Sequence, residues 1–60
     1  MIVKILATTD GKYVGLSFDT EVPMIAPDGV TFHPTKIQNM GNGYFQFSNS
    51  NYVVLTKQVG

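Results

Sequence analysis

The fold of this chain is decided by residues 2–19, which read IVKILATTDGKYVGLSFD. Asp10-Gly11 favours a two-residue hairpin turn, because both residue types tolerate positive φ. This turn predicts antiparallel strands at about residues 2–9 and 12–19. Side chains alternate along a strand, so the pairing places a set of apolar residues on one face, and a slip of one residue would divide them between two faces. The set comprises Val3, Ile5, Ala7, Val14, Leu16 and Phe18.

The middle of the chain carries a second turn signal, Pro27-Asp28-Gly29. Proline fixes φ at the first central position of a turn, and glycine accepts the positive φ that follows. This signal predicts a turn between a short extended segment at residues 24–26 and a strand at residues 30–33.

Residues 35–40 are compatible with two local structures. Their first residues, Thr-Lys-Ile-Gln, have the spacing of a helical capping box, which predicts a single helical turn. The dipeptide Asn42-Gly43 instead predicts a strand that reverses direction immediately after this segment. The turn dipeptide favours the strand.

A second hairpin is predicted near the C-terminus, around a cluster of serine and asparagine. Because asparagine tolerates the left-handed conformation, we expect a three-residue loop at residues 49–51. This register pairs Phe47 with Val53 and Phe45 with Leu55, so these apolar side chains share one face. A two-residue loop is the alternative, and the sorting of side chains disfavours it.

Five or six short strands in sequence order describe an antiparallel meander. A flat meander of this size would leave one wet face and two open edges, whereas curling into a barrel or sandwich hides them. We therefore expect one all-β domain over residues 1–60, a five- to six-stranded antiparallel meander that closes into an SH3-like barrel or a tight sandwich. The barrel is assigned by size and strand number and not by a sequence motif.

Size and composition limit the ways in which such a domain is stabilised. A domain of this length buries only about 60% of the surface that its unfolded chain exposes, so we expect marginal stability. The chain has no cysteine, which excludes disulfides and thiolate metal sites, and its one histidine cannot build a structural zinc site. Self-association or unusually good packing therefore remains as the additional source of stability.

The charge of the chain argues against a nucleic-acid partner. Four lysines balance four acidic residues, and there is no arginine to read phosphate or guanine. A formal net charge of zero gives no steering toward nucleic acid or an anionic membrane.

Targeting signals are not recognised in the sequence. No apolar run approaches the roughly 18 residues that span a membrane. The N-terminus lacks the positively charged region of a signal peptide. We therefore expect a cytoplasmic protein without a membrane partner, or a virion-associated one if the source is viral.

No motif for catalysis or for metal or cofactor binding is present. His33 is the only side chain whose ordinary pKa lies near neutrality, and the spacing brings no carboxylate to it. Gly41-Asn42-Gly43 is explained by a turn and not by a phosphate-binding loop. We predict a non-enzymatic protein with no catalytic residue, no cofactor and no metal.

A group of apolar and tyrosine side chains is predicted to contact a partner. Tyrosine offers a large contact area at low entropic cost and is enriched at interfaces. The predicted pairings place these side chains on the faces opposite the apolar sets, and the alternative is that the rings cover strand edges within the domain. The predicted contact residues are Ile2, Leu6, Tyr13, Tyr44 and Tyr52.

The sequence thus predicts a small binding module that acts through protein–protein contact. A compact bacteriophage accessory protein is the candidate setting, based on size and on a chain that starts at Met1 without a targeting signal. One alternative is a structural or virion component held by homo-oligomerisation. The other is a single-stranded nucleic-acid binder that stacks bases on exposed tyrosines, with Lys12 and Lys36 on phosphates.

Overall fold

The computed structural model describes residues 1–60 and contains seven β-strands and no helix. The strands are β1 (Ile2–Thr8), β2 (Ser17–Asp19), β3 (Met24–Ile25), β4 (Thr31–Phe32), β5 (Lys36–Gly41), β6 (Tyr44–Asn49) and β7 (Tyr52–Gln58). Five of them form an antiparallel sheet in the order β2-β1-β7-β6-β5, and β3 pairs with β4 in a separate two-stranded sheet. The predicted all-β antiparallel fold is confirmed. The chain offers no helix that could cross a membrane.

The larger sheet is open, with β2 and β5 as its edge strands. Only β5, β6 and β7 follow one another as a meander, because β7 then returns to pair with β1. The predicted closure into a barrel does not occur. Strand β2 is only three residues long, so it offers a short edge for any further pairing.

The core lies between one face of the five-stranded sheet and the β3–β4 hairpin. This inner face carries buried Val3 and Ile5 from β1 and buried Phe47 and Val54 from β6 and β7. Met24 and Phe32 of the hairpin complete the buried cluster. The opposite side of the sheet is the outer face. Only eight of the 60 residues are buried, and the partly buried Tyr13, Leu16 and Phe18 also pack against this cluster.

The N-terminal hairpin has the predicted register over its first half. Ile2 pairs with Asp19, Val3 with Phe18 and Lys4 with Ser17. The Ile5 amide then donates a 2.8 Å hydrogen bond to the Leu16 carbonyl. Phe18 packs against Phe47 with ring centroids 5.7 Å apart, so the inward orientation of this half is confirmed.

The predicted two-residue turn at Asp10-Gly11 is wrong, because the chain forms a longer loop over residues 9–16. Strand β1 pairs with β7 along its length, and a register shift between Ile5 and Ala7 turns the Thr9 amide toward β7, where it donates a 3.1 Å hydrogen bond to the Val53 carbonyl. The predicted inward positions of Ala7 and Val14 are wrong as well. Both residues are exposed, because the shift and the loop remove the pairing between them.

The C-terminal hairpin differs from the prediction by one residue. Its loop is Ser50-Asn51, so Asn49 pairs with Tyr52 and Phe47 pairs with Val54. Ser50 takes the positive φ, at 50°, that was assigned to asparagine. The predicted three-residue loop is therefore wrong.

This slip reverses every side chain of β7, as the two-residue period of a strand requires. Val54 and Thr56 are completely buried on the inner face, whereas Val53 and Leu55, which were predicted to be inside, lie on the outer face. Burial of Thr56 is tolerated because its hydroxyl donates a 2.9 Å hydrogen bond to the Phe45 carbonyl.

The two middle turns match their predictions. The Gly29 amide donates a 2.9 Å hydrogen bond to the Ala26 carbonyl in the turn that joins β3 to β4. Residues 36–41 form the predicted strand and not a helical turn. Asn42 and Gly43 then have φ values of 55° and 84°, the two positive values that a type I′ turn needs.

Candidate binding surfaces

The predicted contact residues divide between two surfaces. Ile2, Leu6 and Tyr44 lie on the outer face of the sheet, as alternation along β1 and β6 requires. Tyr13 and Tyr52 lie on the inner side, where they pack against the core cluster. The predicted placement of Tyr52 opposite the core is wrong because the register of the C-terminal hairpin is shifted. Tyr13 belongs to the 9–16 loop and not to a strand.

The outer face carries an apolar strip across its two central strands. The strip consists of Leu6, Ala7, Val53 and Leu55. Ala7 pairs with Leu55 across β1 and β7, and Leu6 is the residue at the register shift beside them. Part of the strip lines a shallow depression of about 300 Å³. Leu6 is 39% exposed, so this strip is accessible to another molecule.

One end of the outer face is positively charged. Lys4 pairs directly with Lys57 across β1 and β7, an arrangement that like charges disfavour. The Lys57 Nζ atom lies 5.2 Å from the centre of the Tyr44 ring, within the range of a cation–π contact. The ion pairs of the chain are instead those of the Met1 amino group with Asp19 and Glu21, at 3.4 Å and 3.9 Å. No acidic side chain therefore neutralises the two lysines.

The inner side has a cleft of about 310 Å³ between the 9–16 loop, the β3–β4 hairpin and the start of β7. We call it the tyrosine cleft. Its lining includes Asp10, Tyr13, Met24, Ala26, Phe32 and Tyr52. Met24, Ala26 and Phe32 are buried, so they form an apolar floor.

Two tyrosine–aspartate hydrogen bonds hold the rim of the tyrosine cleft. The Tyr52 hydroxyl donates to Asp10 Oδ1 at 2.7 Å, and the Tyr13 hydroxyl donates to Asp28 Oδ2 at 2.8 Å. Tyr13 has a φ of 68°, which is uncommon for a bulky residue. Its hydrogen bond therefore ties a loop in an unusual conformation to the β3–β4 turn.

These hydrogen bonds shift the pKa values of the four groups in opposite directions. The bond to Asp28 raises the pKa of Tyr13 to about 12. Burial first, and then the bond to Asp10, raises the pKa of Tyr52. The bond from Tyr52 is the main cause that lowers the pKa of Asp10, while the Val30 amide and then Tyr13 lower that of Asp28. At neutral pH, two neutral phenols therefore face two ionised carboxylates.

The sequence did not predict the tyrosine cleft. The sequence predicts turns at Asp10 and Asp28, and both residues occupy turns, but each also accepts a hydrogen bond from a tyrosine. Tyr52 and Asp10 are 42 positions apart, so no local spacing connects them. The only available signal is that three aspartates and three tyrosines occur in a chain with few charges.

His33 stays outside both surfaces. It is exposed and lines a separate depression of about 200 Å³ that also includes Glu21. No group of three or more histidine, cysteine, aspartate or glutamate side chains is arranged to hold a metal ion. The two surfaces described above are therefore the stronger candidates.

The fold and these surfaces define a class of molecule, an open antiparallel β-sheet covered on one side by a small hairpin. No protein-family model, curated protein or solved structure matches the chain. A function is therefore inferred from the two surfaces alone.

Proposed function

We propose that this protein is a non-enzymatic binding module that contacts a protein partner through the outer face of its five-stranded sheet. The observation that supports this is the apolar strip of Leu6, Ala7, Val53 and Leu55 in the centre of that face. Tyr44 beside the strip adds an aromatic side chain of the kind that is enriched at interfaces. A rim of lysine and glutamine around an apolar centre is typical of a protein-binding surface.

The balance of buried and exposed apolar groups supports the same proposal. Eight residues are buried, while a larger set of large apolar side chains is exposed. A standard interface covers about 800 Å² on each partner, which is about a fifth of the 3846 Å² that this chain exposes. Covering the outer face removes the exposed parts of Ile2, Leu6 and the partly buried Leu55 from water, which favours association.

Several finer assignments accompany this proposal. An SH3-like arrangement, a cytoplasmic or virion location and a bacteriophage setting stay predictions from the sequence. The partner contacts of Ile2, Leu6 and Tyr44 belong to the outer face. Tyr13 and Tyr52 lie instead at the tyrosine cleft, on the inner side of the molecule.

The experiment compares capture of partner proteins by three tagged versions of the chain. One is wild type, and one carries Leu6→Gln with Leu55→Gln, which makes the apolar strip polar. The matched control carries Ile25→Gln with Ile37→Gln, since these two exposed apolar residues lie off the outer face. Circular dichroism verifies that all three are folded.

We expect wild type and the control to capture the same protein. Its affinity for the strip variant should be lower by about tenfold or more. Such a loss corresponds to about 1.4 kcal/mol of binding free energy. If all three versions capture the same proteins equally, the outer face is not the binding surface and the proposal fails.

A second candidate function is the binding of single-stranded nucleic acid by the outer face. The observation that favours it is the row of Tyr44, Lys57 and Lys4, which combines a ring with two cations that have no acidic partner. Phe45 and Phe47 point inward, so Tyr44 is the one ring available for stacking there. Titration with an oligonucleotide at several salt concentrations tests it, because phosphate contacts weaken as salt rises. A lack of affinity at low salt excludes this function.

A further inference from the structure

We propose that the tyrosine cleft binds the side chain of a lysine or arginine that a protein partner presents. This site lies on the inner side of the molecule, away from the outer face, and it does not depend on the function proposed above.

The lining matches the stem of a long cationic side chain. Met24, Ala26 and Phe32 form an apolar floor against which methylene groups pack. Phe32 and Tyr52 both line the cleft, with ring centroids 5.9 Å apart and planes tilted by 59°. Tyr13 adds a third ring at the rim. Aromatic faces attract cations through their quadrupole, and the attraction increases as water is excluded.

The charge at the cleft matches the head of such a side chain. The hydrogen bonds that the Asp10 side chain accepts all end on Oδ1, so Oδ2 accepts none within the chain. Asp28 holds Tyr13 at the rim and adds a second negative charge. An ammonium or guanidinium group would complete a charge-assisted hydrogen bond with Asp10. An uncharged ligand would remove water from this carboxylate without replacing it, and an anion would be repelled.

No cation of the chain already fills this role. Lys12 is near enough for its charge to contribute to the lowered pKa of Asp28. The ion pairs of the chain nevertheless involve only the Met1 amino group with Asp19 and Glu21. The carboxylate that lines the tyrosine cleft is therefore complementary to a cation from another molecule.

The test is a titration of the isotope-labelled wild-type protein, followed by nuclear magnetic resonance. The probes are the N-acetyl amides of lysine and arginine, and the control probe is the N-acetyl amide of norleucine, which has the four-carbon chain without the ammonium group. We expect the lysine or arginine probe to shift the signals of the Met24 methyl group and the Tyr52 ring. We also expect it to bind about tenfold more tightly than norleucine. Equal binding of charged and neutral probes would overturn the proposal.

A matched pair of variants tests the role of the carboxylate. Asp10→Asn keeps an oxygen that accepts from Tyr52 but removes the charge, so the lysine probe should lose about tenfold in affinity while norleucine is unaffected. Asp19→Asn removes the same charge at the far end of β2 and should leave the affinity unchanged. The proposal fails if Asp10→Asn binds as wild type does, or if the probe shifts signals of the outer face instead. The comparison of probes on wild type remains decisive even if the Asp10 variant is unstable.

Discussion

At the scale of single residues, Tyr13 shows how one side chain offsets an unfavourable backbone. A left-handed conformation costs an L-residue roughly 1–2 kcal/mol. Tyr13 nevertheless has a φ of 68°, while its ring packs on the core and its hydroxyl reaches Asp28 from 15 positions away. The hydrogen bond and the packing therefore keep the 9–16 loop folded against the β3–β4 hairpin.

The pH dependence of stability should reveal this hydrogen bond. The pKa of Tyr13 is raised in the folded protein from 10.0 to about 12, so folding favours the protonated phenol. Its contribution to stability is complete below pH 10 and is lost as the pH rises toward 12. We expect wild type to melt at a higher temperature than Tyr13→Phe near neutral pH, with the difference shrinking across this window.

Thermal unfolding followed by circular dichroism measures this difference. Tyr44→Phe is the control, because Tyr44 lies on the outer face, away from Asp28. This variant keeps the Tyr13–Asp28 hydrogen bond, so it should lose stability across the window as wild type does. A constant gap between wild type and Tyr13→Phe across the window would show that the hydroxyl does not stabilise the fold.

At the scale of elements, turn chemistry was the most reliable guide in the sequence. Asn42-Gly43 and Pro27-Asp28-Gly29 each favour a tight turn, and both turns form as predicted. Asp10-Gly11 has the same local preference, but pairing of β1 with β7 overrides it. Local preference thus predicts a turn only where no long-range strand competes for the flanking residues.

The loop of the C-terminal hairpin was predicted wrongly for a different reason. A run of serine and asparagine allows more than one loop length, so the register was chosen by gathering apolar residues on one face. The actual register buries Thr56 and exposes part of Val53 and Leu55. The buried hydroxyl of Thr56 is satisfied by its hydrogen bond to the Phe45 carbonyl on the neighbouring strand. A register chosen only by grouping apolar residues does not include this hydrogen bond. The predicted register also places Tyr52 on the outer face, so the sequence does not predict the tyrosine cleft on the inner side.

Neighbouring valines of β7 provide a direct test of this register. Val54 is completely buried, so Val54→Ala should cost roughly 2 kcal/mol through lost apolar burial and a small cavity. Val53 lies on the outer face, and Val53→Ala should cost less than about 1 kcal/mol. Urea unfolding of the two variants measures the difference. The reverse order of stabilities would support the three-residue loop and contradict the structure.

At the scale of the whole molecule, the domain has one covered sheet face and one open face. Only eight residues are buried, so the free energy of unfolding is expected to be small. Any partner that binds only the folded chain adds to that stability according to its concentration and affinity. The open face is therefore both the proposed binding surface and the place where a partner can most stabilise the fold.

Whether that partner is a second copy is decided by the charges of the outer face. A two-fold dimer brings the same surface of each copy together. In this protein, such a dimer would bring two Lys4–Lys57 pairs into one interface, and none of these lysines forms an ion pair with an acidic side chain. Like charges at close range oppose such an arrangement, and salt screens their repulsion. We therefore expect a monomer at low ionic strength.

Light scattering across a range of protein concentrations measures this state. We expect the mass of one 6.6 kDa chain and a melting temperature that does not depend on concentration. Lys4→Gln with Lys57→Gln removes the repulsion and should promote self-association through the apolar strip, whereas Lys12→Gln, in the loop, should not. A stable wild-type dimer at low salt would contradict this prediction. The repulsion between the lysine pairs would then be too weak to keep two copies apart, and the outer face would serve in homo-oligomerisation.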